Sequence, residues 1–440
     1  MASSSFRPSR ALRQASAVRA EKPLPRKTQR AVREVGYAVA DPGTDWWQIG
    51  SLDDETTPEL RWPQCIPVYD AMRKQDAQVG SVLRAVTYPV RSTRWWIDPA
   101  GARDEVVQHC SQDLGIPVMG QDSVPGRTRN RFSWSFHLRH ALLMIPFGHM
   151  YFEQLYGIDD ATGLAHLRKL GPRMPRSIEK FKVARDGGLD GIVQKPPGLA
   201  TSSAQNEIFI PTSRLVAYVN EREGGNWAGT SLLRTAYKNW LLKDRVLRTQ
   251  TSSIDRNGMG IPRYTGGPDN TDEELEHGEQ LAADARAGDN SGISIRNGSM
   301  FDLVGVDGTL PDTMKPIQYH DEQIARAVLA HFLNLGTQTG SWALGTTFAD
   351  FFTQSLVAVA TDVADTFTGH VIEDLVDLNW GPDEPAPRLV FEEIGSNAAA
   401  LATAIKTLVD AKVLTADEGL EAHTRLALKL PRKSEGDDAA

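Results

Sequence analysis

Between residues 348 and 378, Phe348, Phe352, Leu356, Val359, Val363, Phe367, Val371, Leu375 and Leu378 recur at steps of three and four. That spacing keeps apolar side chains on one face for about 30 residues, roughly 45 Å of helix, and no strand sustains it. Asp350, Asp362, Asp365, Glu373 and Asp374 fall between them, so the helix has one packed face and one polar face. A helix of that length acts as a spine around which the remaining segments must pack. Ahead of it Ile324, Val328, Phe332 and Leu335 form a shorter stripe after Asp321 and Glu322, acids that suit a helix start. Gly336-Thr337-Gln338-Thr339-Gly340-Ser341 separates the two stripes, with Trp342, Leu344 and Gly345 following.

At 440 residues the chain exceeds one small core and predicts two to four structural units. Cys65 and Cys110 are its only cysteines, which excludes a disulfide scaffold or a cysteine-rich zinc module and favours a reducing compartment. No apolar signal run or membrane-length stretch occurs, so no membrane span is expected. The whole chain carries −8, yet within residues 1–34 the only acids are Glu21 and Glu34 among many arginines and lysines. This predicts a mobile basic arm able to touch nucleic acid or an acidic protein surface, or simply to solubilise the terminus.

Trp46-Trp47 and Trp62-Pro63 precede a helix predicted over residues 67–85, built on Tyr69, Met72, Val79, Val82 and Leu83. Residues 86–97 predict strand, ending in Arg94-Trp95-Trp96-Ile97, whose indoles suit packing better than ligand stacking. A helix is predicted over residues 132–156, interrupted near Pro146. Strands follow at 177–184 and 191–195 around the turn Asp186-Gly187-Gly188, with another strand region at 206–218. Asn226 to Thr230 forms a hinge-like approach to a helix over 231–250, whose apolar face is Leu232, Leu233, Ala236, Tyr237, Trp240, Leu241 and Leu247. Arg234, Lys238, Lys243, Arg245 and Arg248 make its other side basic, suited to facing DNA or to ion pairs between subunits.

Residues 253–316 differ from both flanks. Gly258, Gly260, Pro262, Gly266, Gly267 and Pro268 open the segment, an acidic helix is predicted over 272–287, and short extended passages lie at 293–295 and 300–304. The composition is that of a small α/β domain inserted between two helices, and its acids lack a calcium-loop pattern. Asn379-Trp380-Gly381-Pro382 stops the spine, residues 387–391 return as strand, and helices are predicted over 398–411 and 416–430. No P-loop, serine elbow or paired zinc histidines occur. His109 beside Cys110 lacks evident further ligands, and His320 beside Asp321 marks a polar helix boundary. No catalytic residue, metal or cofactor is therefore assigned.

Gly229-Thr230-Ser231-Leu232-Leu233, then Tyr237 to Trp240 and Lys243, then the inserted domain, residues 322–332, Gly340-Ser341-Trp342-Ala343-Leu344-Gly345 and the long helix form an ordered series. That series resembles the Mu-like portal proteins of tailed bacteriophages. The tail Arg425-Leu426-Ala427-Leu428-Lys429-Leu430-Pro431 is similar to that family's ending, while Arg263-Tyr264-Thr265-Gly266 only approximates its glycine-lysine-tyrosine pattern. The likeness spans roughly residues 87–431 and is best from 229 to 380.

The resemblance implies an α+β, portal-type multidomain fold with a helical stem, long spine helix, α/β wing and small α/β clip, assembled as a ring. Carried onto this chain, it gives a flexible arm at 1–34, wing at 35–229, stem helices at 230–250 and 321–336, and clip with connections at 251–320. The channel loop falls at 337–346, the spine and wing return at 347–394, and a helical crown region with tail at 395–440. Gln338, Thr339, Gly340, Ser341 and Trp342 would form the channel loop. Leu233, Tyr237, Trp240, Leu241, Ile324, Val328 and Phe332 would form the stem interface. The implied partners are its own copies in a dodecameric ring, double-stranded DNA held without sequence specificity, the large terminase, the major capsid or scaffold protein and a head-completion connector protein. The implied location is the capsid portal vertex of the virion, after assembly in the bacterial host cytoplasm. A non-ring head adaptor, or an enzyme whose groups converge from distant loops, are the alternatives.

Overall fold

The computed structural model describes residues 55–121, 128, 132–184, 186–195, 208–268, 271–285, 292–295, 297–305, 312–327 and 342–394. The basic arm, Trp46-Trp47, the predicted helices after residue 397, and Val328, Phe332, Leu335 and Thr337 to Ser341 lie outside the described residues.

The helix predicted over 67–85 is two helices, α1 (Cys65–Gln75) and α2 (Ala77–Ser92). Asp76 breaks them: its backbone is extended and its Oδ1 accepts the Val79 amide at 3.0 Å, capping α2. The strand predicted from residue 86 begins only at β1 (Trp95–Asp98). Val79, Val82, Val86 and Val90 line one buried side of α2, so helical burial overrides the β-propensity of these valines. Trp95 is buried against Trp134 and Phe391, in keeping with a packing role.

Helix α3 (Asp104–Leu114) is followed by α4 (Trp134–Ala141) and the short α5 (Met144–Phe147). The helix predicted to residue 156 stops at Gly148, and residues beyond it form the long strand β2 (His149–Ile158). Strand β3 (Ala165–Arg173) pairs with it on one side. Next come β4 (Ile178–Val183), β5 (Leu189–Gln194), β6 (Ile208–Pro211) and β7 (Leu215–Val219), with the turn at Gly187 as expected. The antiparallel sheets have orders β3-β2-β7 and β4-β5-β6.

Helix α6 (Tyr237–Met259) starts six residues later and ends nine later than the predicted 231–250. The Ser231 hydroxyl donates to the Pro146 carbonyl at 2.7 Å and accepts the Leu233 amide at 3.0 Å, holding the preceding residues in turns. The inserted segment holds β8 (Ile261–Thr265), α7 (Asp272–Asp284) and β9 (Met300–Val304), with β8 and β9 antiparallel. Helix α7 starts where its acids predicted, under a Thr271–Glu274 capping box. Ile293 to Ile295 form no strand. Helix α8 (Met314–Arg326) begins seven residues before the predicted 321, which places His320 and Asp321 inside the helix rather than at its boundary.

The spine is real but interrupted: α9 (Trp342–Phe367), a π-helical turn over Thr368–Ile372, and α10 (Glu373–Trp380). Its backbone is already helical at Trp342, so residues 342–346, predicted as loop, belong to the helix. The π-turn inserts an extra residue, so the buried set continues as Val371, Ile372, Leu375 and Val376 while Leu378 turns outward. Thr368 Oγ1 accepts the Leu389 amide at 3.1 Å, and Gln154 donates to the His370 carbonyl, which ties the π-turn to residue 389 and to β2. Strand β10 (Arg388–Phe391) then pairs with β1, joining residues nearly 300 apart in sequence. The principal core packs the spine against α2, α3, α4 and the β2 sheet through Phe352, Leu356, Val363, Phe367, Val82 and Val106.

Two histidines in this region make the fold acid-sensitive. His137 and His149 are fully buried, and burial lowers them to about 3 and about 4, the Ala228 carbonyl partly opposing the shift at His149. Both folded values lie below 6.5, so the stability present above that pH falls as the unfolded chain takes up protons first. From pH 6.5 to pH 5 the pair is expected to remove about 3 kcal/mol. Urea midpoints across this window check it, and a flat profile with H137F and H149F unchanged from the parent would contradict it.

Candidate functional site: the helix pair and the long helix

Helices α6, α8 and the start of α2 converge on one buried ion cluster. Lys243, on the supposed basic face of α6, is buried, its Nζ 2.9 Å from Asp76 Oδ2 and 2.6 Å from Asp321 Oδ1. Burial alone would lower the ammonium, but its close ion contacts with the Asp321 and Asp76 carboxylates outweigh that and hold its pKa above the ordinary lysine value. One side chain thus ties α6 to α8 and to the α2 cap. One turn away, His320 Nδ1 donates to Asn239 Oδ1 at 3.1 Å, a second polar tie between α6 and α8.

The other predicted basic residues divide. Arg234 precedes α6 and grips Glu55 through Nε and Nη2, and Arg248 pairs with Asp244 on its own helix. Lys238 and Arg245 are exposed. The row read as one DNA-facing or intersubunit surface is therefore divided, with Lys243 and Arg234 consumed by contacts within the chain. Spacing revealed the charges, but Asp76 and Glu55, some 170 residues away, were invisible to it.

The predicted stem interface divides as well. Leu233 and Ile324 are 1 % exposed and share a core cluster with Tyr69, Met72 and Phe147, and Tyr237 and Trp240 pack against it. Those residues close the chain's own fold, while Leu241 is exposed. Among the described residues, the exposed apolar side chains of this helix pair are Leu241, Leu242, Leu247 and Ile254 on α6 and Met314 and Tyr319 on α8. Of the predicted channel residues, Trp342 stands at the start of α9, and Gln338, Thr339, Gly340 and Ser341 lie outside the described residues.

The hinge-like approach before α6 is a crossing of two backbones. Gly148 and Gly229 both have left-handed φ, at 88° and 63°. A Cβ on Gly229 would stand 2.3 Å from the Gly148 carbonyl oxygen, and one on Gly148 would stand 2.5 Å from the Ala228 oxygen. The Asn220 amide bonds the Gly148 carbonyl at 2.8 Å, the Thr230 amide bonds the Asn220 carbonyl at 2.9 Å, and the Leu232 amide bonds the Ile145 carbonyl at 2.9 Å. This crossing sets the direction in which α6 leaves the sheet.

At the far end of the spine, His109, Asp113 and His166 come together, which the sequence reading of His109 missed. His109 and Asp113 share a face of α3 at a four-residue spacing, a legible signal, whereas His166 arrives from β3. His166 Nδ1 donates to Asp113 Oδ1 at 2.8 Å and the Leu167 amide donates to Oδ2 at 2.8 Å. Asn379 of α10 exchanges bonds with both backbone groups of Ala165, whose carbonyl also accepts from His109 Nε2 at 3.0 Å. The three side chains could approach a cation, but both carboxylate oxygens are already satisfied, and the network latches the spine's end to α3 and β3. Cys65 and Cys110 are buried, and burial pushes both thiols up to about 12.

Solved structures resemble this fold over most of its length. A chain in the neck of an empty GTA particle computed with C6 symmetry shares 12 % identity and a TM-score of 0.53, covering 82 % of this chain and 93 % of that one. Chains in the neck of the native particle computed with C12 symmetry and in the virion of the native gene transfer agent (GTA) particle match at TM-scores of 0.51 and 0.50. Each of these two shares 11 % identity and covers 83 % of this chain and 93 % of its own. At such identity the likeness establishes fold. The family described as the portal protein of Mu bacteriophage matches residues 66–426, a span that takes in the backbone crossing, the helix pair tied by Lys243, the inserted domain and the interrupted spine, and the chain belongs to that family.

Proposed function

We propose that this portal protein assembles as a dodecameric ring at one capsid vertex of the virion and conducts double-stranded DNA without reading its sequence. The observation that carries the proposal is the family match across residues 66–426, and the GTA neck likeness, one member at C12 symmetry, supports the ring. In this reading α6 and α8 form the stem, the β8–α7–β9 unit is the clip, and residues around 338–341 line the channel. The exposed apolar side chains of α6 and α8 supply lateral contacts between copies, since the described residues leave them open. The Lys243 clamp suits this role: a stem that transmits load between clip and wing needs its helices fixed to each other and to the wing.

During packaging the ring docks the large terminase, which supplies the ATP hydrolysis, and afterwards a head-completion connector protein binds the clip. The wing meets the major capsid or scaffold protein, and assembly takes place in the bacterial host cytoplasm. Glycine, threonine, glutamine and serine at 337–341 give weak, replaceable contacts to a moving duplex, where tight base recognition would oppose translocation.

Electron microscopy and native mass spectrometry of the purified protein test this reading: annular particles of twelve copies with a through-channel are expected. In heads carrying Q338A/T339A, the ring is expected intact while packaged DNA length or retention changes. A monomer at every concentration would overturn the ring, and unchanged packaging in verified rings would remove residues 338–341 from the channel.

A further inference from the structure

The spine and α2 carry opposite charge on their outer faces. From residue 342 to 380 the chain has six acids, Asp350, Asp362, Asp365, Glu373, Asp374 and Asp377, and no lysine or arginine. Asp362, Asp365 and Glu373 are exposed and, among the described residues, form no ion pair. Partial burial and the neighbouring Asp365 charge push the Asp362 carboxyl above its ordinary value. Beside them the π-turn and β10 enclose a recess of about 540 Å³ lined by Asp365, Thr368, Gly369, Glu373 and Arg388 among others, Arg388 being its one cation among the described residues.

Helix α2 presents the complement. Arg84, Tyr88 and Arg91 stand at i, i+4 and i+7 on its solvent side, opposite the buried valines, with Arg94 just past its end. Tyr88 is 54 % exposed and the Arg91 guanidinium lies 5.6 Å from its ring centre. No acid of the described residues forms an ion pair with Arg84, Arg91 or Arg94. Arg84 to Arg94 and Asp362 to Glu373 each run about 15 Å of chain, so the rows match in length.

We propose that in the ring the Arg84–Tyr88–Arg91 face of each copy docks on the Asp362–Asp365–Glu373 face of the next, with arginine or tyrosine side chains entering the recess beside β10. A cyclic ring needs two different, complementary patches on each copy, and these two supply opposite charge with a shape to receive it. The inference rests on the ring reading of the family. A duplex phosphate backbone is the competing occupant of the arginine face.

Charge reversal tests it with the full chain, read by native mass spectrometry and electron microscopy after melting curves confirm folding. R84E/R91E alone and D362K/D365K alone are each expected to lower ring yield by about tenfold or more, because like charges then face each other. Both pairs in one chain are expected to restore rings. A mixture of the two single-face proteins is expected to give rings with even copy numbers, since alternating copies match at every contact. Should reversal destabilise the fold, R84Q/R91Q replaces it, with rings expected to dissociate at lower salt than the parent's. Rings of normal yield from each single-face variant would overturn the proposal, and weakened duplex binding by those rings would assign the arginine face to DNA. Failure of the parent chain to form rings would instead refute the ring reading itself.

Discussion

Replacing Gly229 with valine is expected to prevent the chain from holding its native fold, at a cost of about 4 kcal/mol or more. Two effects add. The backbone stands at a φ of 63°, a region that β-branched residues scarcely enter. The new Cβ would also lie 2.3 Å from the Gly148 carbonyl oxygen and 2.8 Å from that of Asn220. Neither oxygen belongs to a side chain that can rotate away, and each accepts an amide of the same crossing. With total stabilities of about 5–15 kcal/mol for a domain, such a loss removes much of what is available. Gly224 provides the control, since its φ is 53° but nothing lies within 4 Å of an added Cβ. G224A is expected to cost only about 1–2 kcal/mol. Urea denaturation followed by circular dichroism compares the two, and equal midpoints for G229V and G224A would show that the crossing does not constrain the fold.

Replacing Lys243 with methionine is expected to cost about 3–5 kcal/mol, because it leaves Asp76 and Asp321 facing each other without their cation. Asp76 is as buried as the lysine, with 8 % of its side chain exposed, so water cannot replace the lost partner there. Neutralising both acids in the same chain, as K243M/D76N/D321N, is expected to recover most of the loss, since asparagine at residue 76 still caps α2. Alkali should reproduce the effect in the unaltered protein. The folded pKa of Lys243 lies above its ordinary 10.5, so its contribution is complete below that pH and is lost as pH rises through the raised value. Because the clamp joins α6, α8 and α2, K243M is also expected to lower ring yield. Wild-type stability and ring yield in K243M would mean the clamp is dispensable.

Much of the architecture was legible from local pattern. The spine's period, the acidic start of α7, the turn at Gly187 and the returning strand at residues 388–391 each rest on residues close in sequence, where spacing and turn chemistry act directly. The order of the helix pair, the inserted domain and the long helix also carried the family resemblance. Other features depend on partners far along the chain. Lys243 looked like a member of a basic face until Asp76 and Asp321 enclosed it, and residues 86–92 looked like strand until the spine covered Val86 and Val90. The π-turn was hidden because Thr368 and His370 find the partners that stabilise it in β10 and β2. Periodicity reports which side of an element is apolar, so the sequence alone determined that this chain builds a long amphipathic helix with a smaller inserted domain. Where each buried charge ends, and where a backbone must be glycine to let another pass, depends on contacts between distant segments, and those only the tertiary structure decided.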